Sequence, residues 1–119
     1  MGSGDEKMGT GDLTLNEYQA MARRTQNKEL TREQRRLHAL HGLAAEVGEI
    51  HAIYQKWYQG HPVFTGDVVN ELGDLLWFAA ELCDTLGITL DDVAVRNIEK
   101  LKKRYPEGFS EERSKNRDE

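Results

Sequence analysis

The sequence predicts an all-α protein, one domain of four to five helices. Three observations carry that prediction. Threonine opens a helix-start pattern at three points, Thr14-x-x-Glu17, Thr31-x-x-Gln34 and Thr89-x-x-Asp92. Apolar residues recur behind each start at three- and four-residue intervals. Proline occurs only at Pro62 and Pro106, and the glycines gather largely at the N-terminus and at breaks between periodic stretches.

Residues 1–11 carry Gly2, Gly4, Gly9 and Gly11 with almost nothing apolar, and read as an unstructured leader. Leu15, Tyr18 and Ala22 then mark a first helix over 15–27. A longer helix opens at Thr31, with Leu40, Leu43, Val47, Ile50, Tyr54 and Tyr58 as its apolar stripe and Gly60-His61-Pro62 as its end. The third helix, 67–86, carries Val68, Leu72, Leu75, Ala79, Leu82 and Leu86 on one face, and Gly87 is its C-terminal stop. A fourth, 90–104, has the stripe Ala94, Ile98, Leu101 and Tyr105 before Pro106 and Gly108. The bundle domain thus spans 12–109, and the charged segment 110–119 is expected to fray.

Composition removes several function classes. A length of 119 residues allows a modest core, and a net charge of −5 argues against general nucleic-acid binding. No apolar run approaches the roughly 18 residues of a membrane span. The single cysteine, Cys83, rules out an internal disulfide, fits a reducing cytoplasmic setting, and sits among apolar neighbours as a buried thiol would.

The chemistry concentrates in two matched stretches, Glu46-Val47-Gly48-Glu49 and Glu71-Leu72-Gly73-Asp74. A helix puts the two acids of each pair one turn apart, on the flank of the core stripe. A lone Glu-x-x-Glu is ordinarily a solvated surface feature. Here the motif recurs, and each copy holds an interior glycine that costs about 1 kcal/mol against alanine, as close helix approach would demand. Four converging carboxylates repel one another, and a hard divalent cation, Mg²⁺ or Mn²⁺, relieves that repulsion. No Glu-x-x-His supports a di-iron bundle, and four histidines with one cysteine form no zinc set.

In a simple hairpin the two acid pairs would lie out of level by about 10 Å, so the 59–66 connection must run back along the helices. Carboxylate-held Mg²⁺ points to phosphate chemistry. Asn97, Lys100 and Arg104 share a face of the fourth helix that could meet phosphate oxygens, although cations near a helix C-terminus are favoured without any ligand. Lys56 and His61 are weaker candidates for the same task. Phe78 lies toward the acids, whereas Trp77 points away from the apolar stripe. Core or interface packing is the plainer reading of Trp57, Trp77 and Phe78, with base stacking as the alternative.

Three blocks in order resemble the MazG-like nucleotide pyrophosphohydrolases of the all-alpha NTP pyrophosphatase superfamily. They are Gly42-Leu43-Ala44-Ala45-Glu46-Val47-Gly48-Glu49-Ile50, Glu71-Leu72-Gly73-Asp74-Leu75-Leu76-Trp77-Phe78, and Asn97-x-x-Lys100-Leu101-x-x-Arg104-Tyr105-Pro106-x-Gly108-Phe109. The resemblance runs from Leu15 to Phe109. It implies a helical protomer that forms a homodimer or a dimer of dimers, with Mg²⁺ at Glu46, Glu49, Glu71 and Asp74. It implies cleavage of a nucleoside triphosphate between the α and β phosphates, with Asn97 and Lys100 near the substrate. Within that reaction Glu49 and Glu46 are read as the catalytic acids, Glu49 orienting the attacking water. Phe78 stands where many members have tyrosine, so one hydroxyl contact is missing. The alternatives are a phosphoribosyl-ATP or dUTP/dCTP hydrolase of the same superfamily, or a silent metal-binding oligomerisation module.

Overall fold

The computed structural model describes residues 11–116; nearly all of the expected leader, and residues 117–119, lie outside them. Among the described residues the regular elements are all helical: α1 (Leu15–Ala22), a 3₁₀ turn (Arg23–Thr25), α2 (Arg32–Trp57), α3 (Thr65–Leu86), α4 (Leu90–Arg104) and α5 (Glu111–Lys115).

The helix starts follow from the capping residues. Thr14 Oγ1 accepts the Glu17 N–H at 3.0 Å while Glu17 Oε1 accepts the Thr14 N–H at 2.8 Å. Thr31 and Gln34 repeat the exchange at 3.1 and 2.9 Å, and Thr89 Oγ1 takes the Asp92 N–H at 2.9 Å. Gly87 ends α3 in the left-handed conformation, φ 71°, leaving its N–H and that of Ile88 to satisfy the last carbonyls.

Three boundaries differ from the sequence expectation. The first α-helix stops at Ala22 and the 3₁₀ turn at Thr25, short of residue 27, because Gln26 turns extended and sends its buried side chain to Asp84 at 2.7 Å. α3 begins at Thr65, two residues early, with the Phe64 carbonyl accepting from Asp67 and Val68 in place of a side-chain cap. The tail is not wholly frayed: Ser110 caps the short α5.

Two packing regions result. Ala22, Ala80, Cys83 and Leu90 form a small buried core where α1 meets α3 and the start of α4, with Tyr18, Trp77 and Ala79 against it. Trp77 therefore packs inward, contrary to the wheel, and its Nε1 donates to Thr25 Oγ1 at 2.8 Å. The wheel failed because α1 covers a flank of α3 that a single apolar stripe ignores. Cys83 is buried as expected, and burial first, then the Asp84 charge, push its thiol up.

The second region is the antiparallel seam of α2 and α3, the largest helix pair of the fold. Arg36 meets Thr85, His38 meets Glu81, Gly42 meets Phe78, and Glu46 meets Glu71 and Asp74. Gly42 is the close-approach glycine: a Cβ there would fall 2.2 Å from the Phe78 ring. A Cβ at Gly48 or Gly73 would meet nothing within 4 Å, so close helix packing does not explain those two.

Much of the expected core is not covered by this chain. Leu40, Val47, Tyr54 and Tyr58 of α2, Leu72 and Leu86 of α3, and Ile98 and Leu101 of α4 are exposed, Tyr58 by 83%. The periodicity marks an apolar face, but among the described residues nothing covers these positions. The radius of gyration, 17.5 Å, exceeds the roughly 13 Å of a compact domain of this length.

Candidate functional site

The seam brings three of the four motif acids together. One carboxylate oxygen from each of Glu46, Glu71 and Asp74 lies within 4.8 Å of the others. The level problem is solved by the connection. α2 runs on for three turns past Glu46, and residues 58–64 return beside it, so that α3 reaches Glu71 within two turns of its start. Gly60, with φ 92°, makes the reversal, and the Gln59 and His61 N–H groups both bond the Lys56 carbonyl. This overhang also accounts for the exposure of Trp57 and Tyr58.

The cluster is electrostatically unfinished. Glu46 Oε1 is buried and meets no hydrogen-bond donor among the described residues. The Glu71 carboxyl against it, then burial, then the charges of Glu71, Asp74 and Glu49 push the Glu46 carboxyl up to about 7. The influence of Asp74 also reaches α1: burial, then that charge, raise the Tyr18 hydroxyl above its ordinary value. The donors are all oxygens, they converge, and one is orphaned, a set that fits a hard divalent cation. Glu46, Glu71 and Asp74 would hold it, and the same ion would screen their repulsion.

Glu49 stands one turn from Glu46, exposed and outside the three-acid group, yet close enough to raise its neighbour. Lys56 and His61 lie exposed at the far end of α2, their backbones joined. Asn97 and Lys100 are exposed on α4, which rests on α1 and α3, and no hydrogen bond or ion pair takes either to the acids. Arg104, half-buried, gives its carbonyl to Arg113 at 3.4 Å. Phe78 is set into the seam over Gly42, edge-on to His38 and Trp77.

Sequence reasoning passed over the polar system at the other end of the seam. Asp84 accepts from Gln19 Nε2 at 2.8 Å, Arg23 Nη2 at 2.8 Å and Gln26 Nε2 at 2.7 Å. Gln19 Oε1 takes the buried Leu90 N–H at 2.7 Å, tying α1 to the start of α4. Arg36 donates to Thr85, and His38 Nδ1 sits 2.7 Å from the fully buried Glu81. No spacing rule pairs residues so far apart in the chain; the available signal was an acid, Glu81 or Asp84, inside an apolar stretch.

Comparison with known proteins follows the same motifs. A family model, the MazG nucleotide pyrophosphohydrolase domain, matches residues 34–109, which include all four acids and the Asn97–Lys100 block. The Gene 37 protein of Mycobacterium phage L5 is 35% identical over 81 residues, covering 64% of this chain and 71% of that protein. No solved structure matches. The chain belongs to the MazG nucleotide pyrophosphohydrolase family.

Proposed function

We propose that this chain hydrolyses a nucleoside triphosphate between the α and β phosphates, releasing a nucleoside monophosphate and pyrophosphate, with Mg²⁺ (or Mn²⁺ in its place) at the acid cluster. One observation carries the reading: Glu46, Glu71 and Asp74 converge with a buried, donorless oxygen on a seam that gains nothing structurally from it. Bound there, the cation would screen phosphate charge and lower the pKa of a coordinated water.

The residues divide the remaining work by position. Glu46, Glu71 and Asp74 hold the ion. Glu49, exposed beside them, accepts a proton from the attacking water and aims it at the α-phosphorus. Asn97, Lys100 and Arg104 meet the departing pyrophosphate, with Lys56 and His61 as further contacts for the triphosphate. Phe78 borders the base.

In one protomer no hydrogen bond or ion pair takes Lys100 to the acids, while apolar residues on α2, α3 and α4 stand exposed among the described residues. A second copy of the chain relieves both conditions, so the working unit is a homodimer or a dimer of dimers in the cytoplasm. Among the described residues no helix is long and apolar enough to cross a membrane.

The test is ³¹P NMR of the products from a panel of triphosphates with and without Mg²⁺. The expected result is Mg²⁺-dependent monophosphate and pyrophosphate, abolished in Glu49→Gln with its helical spectrum intact. Diphosphate and orthophosphate, or no metal dependence, would overturn the reading; no turnover at all would leave a silent oligomerisation module. Mixing inactive Glu49→Gln with inactive Lys100→Ala should restore activity if the site is shared between copies, and should not if it is complete within one.

A further inference from the structure

One group of side chains beside the acids has no part in holding a cation. Glu81 is 0% exposed, one of its oxygens has no hydrogen-bond partner among the described residues, and the other lies 2.7 Å from Nδ1 of His38. His38 itself is 46% exposed. Its ring stands edge-on to Phe78 and Trp77, with centroids 5.4 and 6.3 Å away, and those two rings meet edge-on at 5.2 Å. A buried carboxylate with a donorless oxygen is an unfavourable way to hold a surface histidine, since an unpaired buried acceptor gives up its bonds to water.

The placement gives the arrangement a use. Asp74, Phe78 and Glu81 follow one another along one face of α3, so His38 sits about 10 Å up the seam from the metal-facing acid. Between them lies the Phe78 ring over Gly42, a flat apolar surface. On the function proposed above, a nucleotide whose phosphates lie at the acids would bring its base toward this aromatic corner, about a ribose away.

We infer that His38 is a specificity-determining residue that reads the amino edge of the nucleobase, and that Glu81 is the positioning residue that makes it do so. A carboxylate only accepts, so the tautomer that can bond Glu81 is the one with its proton on Nδ1. Nε2 then keeps its lone pair, on a side chain that is 46% exposed. It accepts a hydrogen bond from an exocyclic amino group, as on cytosine or adenine, and meets the carbonyl of uracil or hypoxanthine lone pair to lone pair. The inference rests on the proposed nucleotide chemistry for its substrate and for where the base lies.

The experiment compares CTP with UTP, and ATP with ITP, pairs that differ only on that edge of the base. Hydrolysis gives KM and kcat; calorimetry with the non-hydrolysable α,β-methylene analogues and Mg²⁺ gives affinity without turnover. The wild type should favour the amino member of each pair by about tenfold in KM and in affinity. His38→Phe keeps the ring contacts and removes the nitrogens, and Glu81→Met removes the acceptor that sets the tautomer. Both should bring the ratio to about one, with kcat changed less than twofold. A wild type that favours the carbonyl member or neither, or a ratio that survives His38→Phe, overturns the inference while any hydrolysis observed leaves the proposed reaction standing. Analogues that bind with the expected ratio but triphosphates that are not cleaved overturn the reaction and leave the subsite. Failure of the folded wild type to bind any analogue overturns both.

Discussion

The two ends of the α2–α3 seam both bury acids, and they treat them in opposite ways. At one end Asp84 is surrounded by donors. Burial alone would raise its carboxyl, but the hydrogen bonds from Arg23, Gln26 and Gln19 and the Arg23 charge outweigh burial and hold it below the ordinary value. At the other end Glu46 faces Glu71 and Asp74, with Glu49 nearby and no donor for its buried oxygen, and its carboxyl is pushed up to about 7. Both acids lie on helices of one seam, and the difference is that α1 and the turn after it bring donors to Asp84. Asp84 is tied into the fold by its donors, whereas among the described residues no donor meets the buried oxygen of Glu46.

Exchanging the two ends by mutation tests that contrast. The largest expected effect is on turnover: Glu46→Gln should lower kcat/KM by about 100-fold or more while leaving the melting temperature unchanged or higher, because it relieves like-charge repulsion. A melting temperature that falls with activity would make Glu46 structural and end the contrast. Asp84→Ala should do the reverse. It strands Gln19, Arg23 and Gln26 around a site where the Asp84 side chain is only 9% exposed. The expected loss is about 2–3 kcal/mol in urea denaturation, with activity per folded molecule retained.

The glycines sharpen the comparison further. Gly42→Ala drives a methyl into the Phe78 ring and should destabilise by about 1–3 kcal/mol. Gly73→Ala enters open space and should stabilise by up to about 1 kcal/mol, read from the same urea curves. Equal effects at both positions would contradict the seam geometry. The smallest effect concerns acid. The Asp84 carboxyl is depressed in the folded state, so its contribution is full above the unfolded value near 3.8 and is lost as pH falls through the lower folded value. The stability gap between wild type and Asp84→Asn should therefore narrow below about pH 4 and hold constant above about pH 5.

Much of this was legible in the sequence. The capping residues at Thr14, Thr31 and Thr89 set the helix starts they were expected to set, and three of the four acids of the repeated motif converge, Glu49 standing outside the group. The glycine argument went to the wrong residues: Gly48 and Gly73 stand in motifs, but Gly42 is the one under an aromatic ring, and only packing shows that. The apolar stripes were read as core because periodicity reports which face is apolar and not what covers it. Leu40, Val47 and Tyr54 form such a face, left open by their own chain. Trp77 was misplaced because α1 packs on a second flank of α3. The Asp84 and Glu81 contacts join residues more than 40 positions apart, beyond any local pattern.

The central claim, that the acid cluster is completed by a divalent cation, is tested most directly by thermal unfolding in a Mg²⁺ titration at neutral pH, with ionic strength and protein concentration fixed. A cation bound by the folded state alone raises the melting temperature with its concentration. The wild type should rise by several degrees in millimolar Mg²⁺, and the Glu46→Gln, Glu71→Gln double variant should start higher and not respond. An equal rise in both proteins, or none in the wild type, would contradict the account.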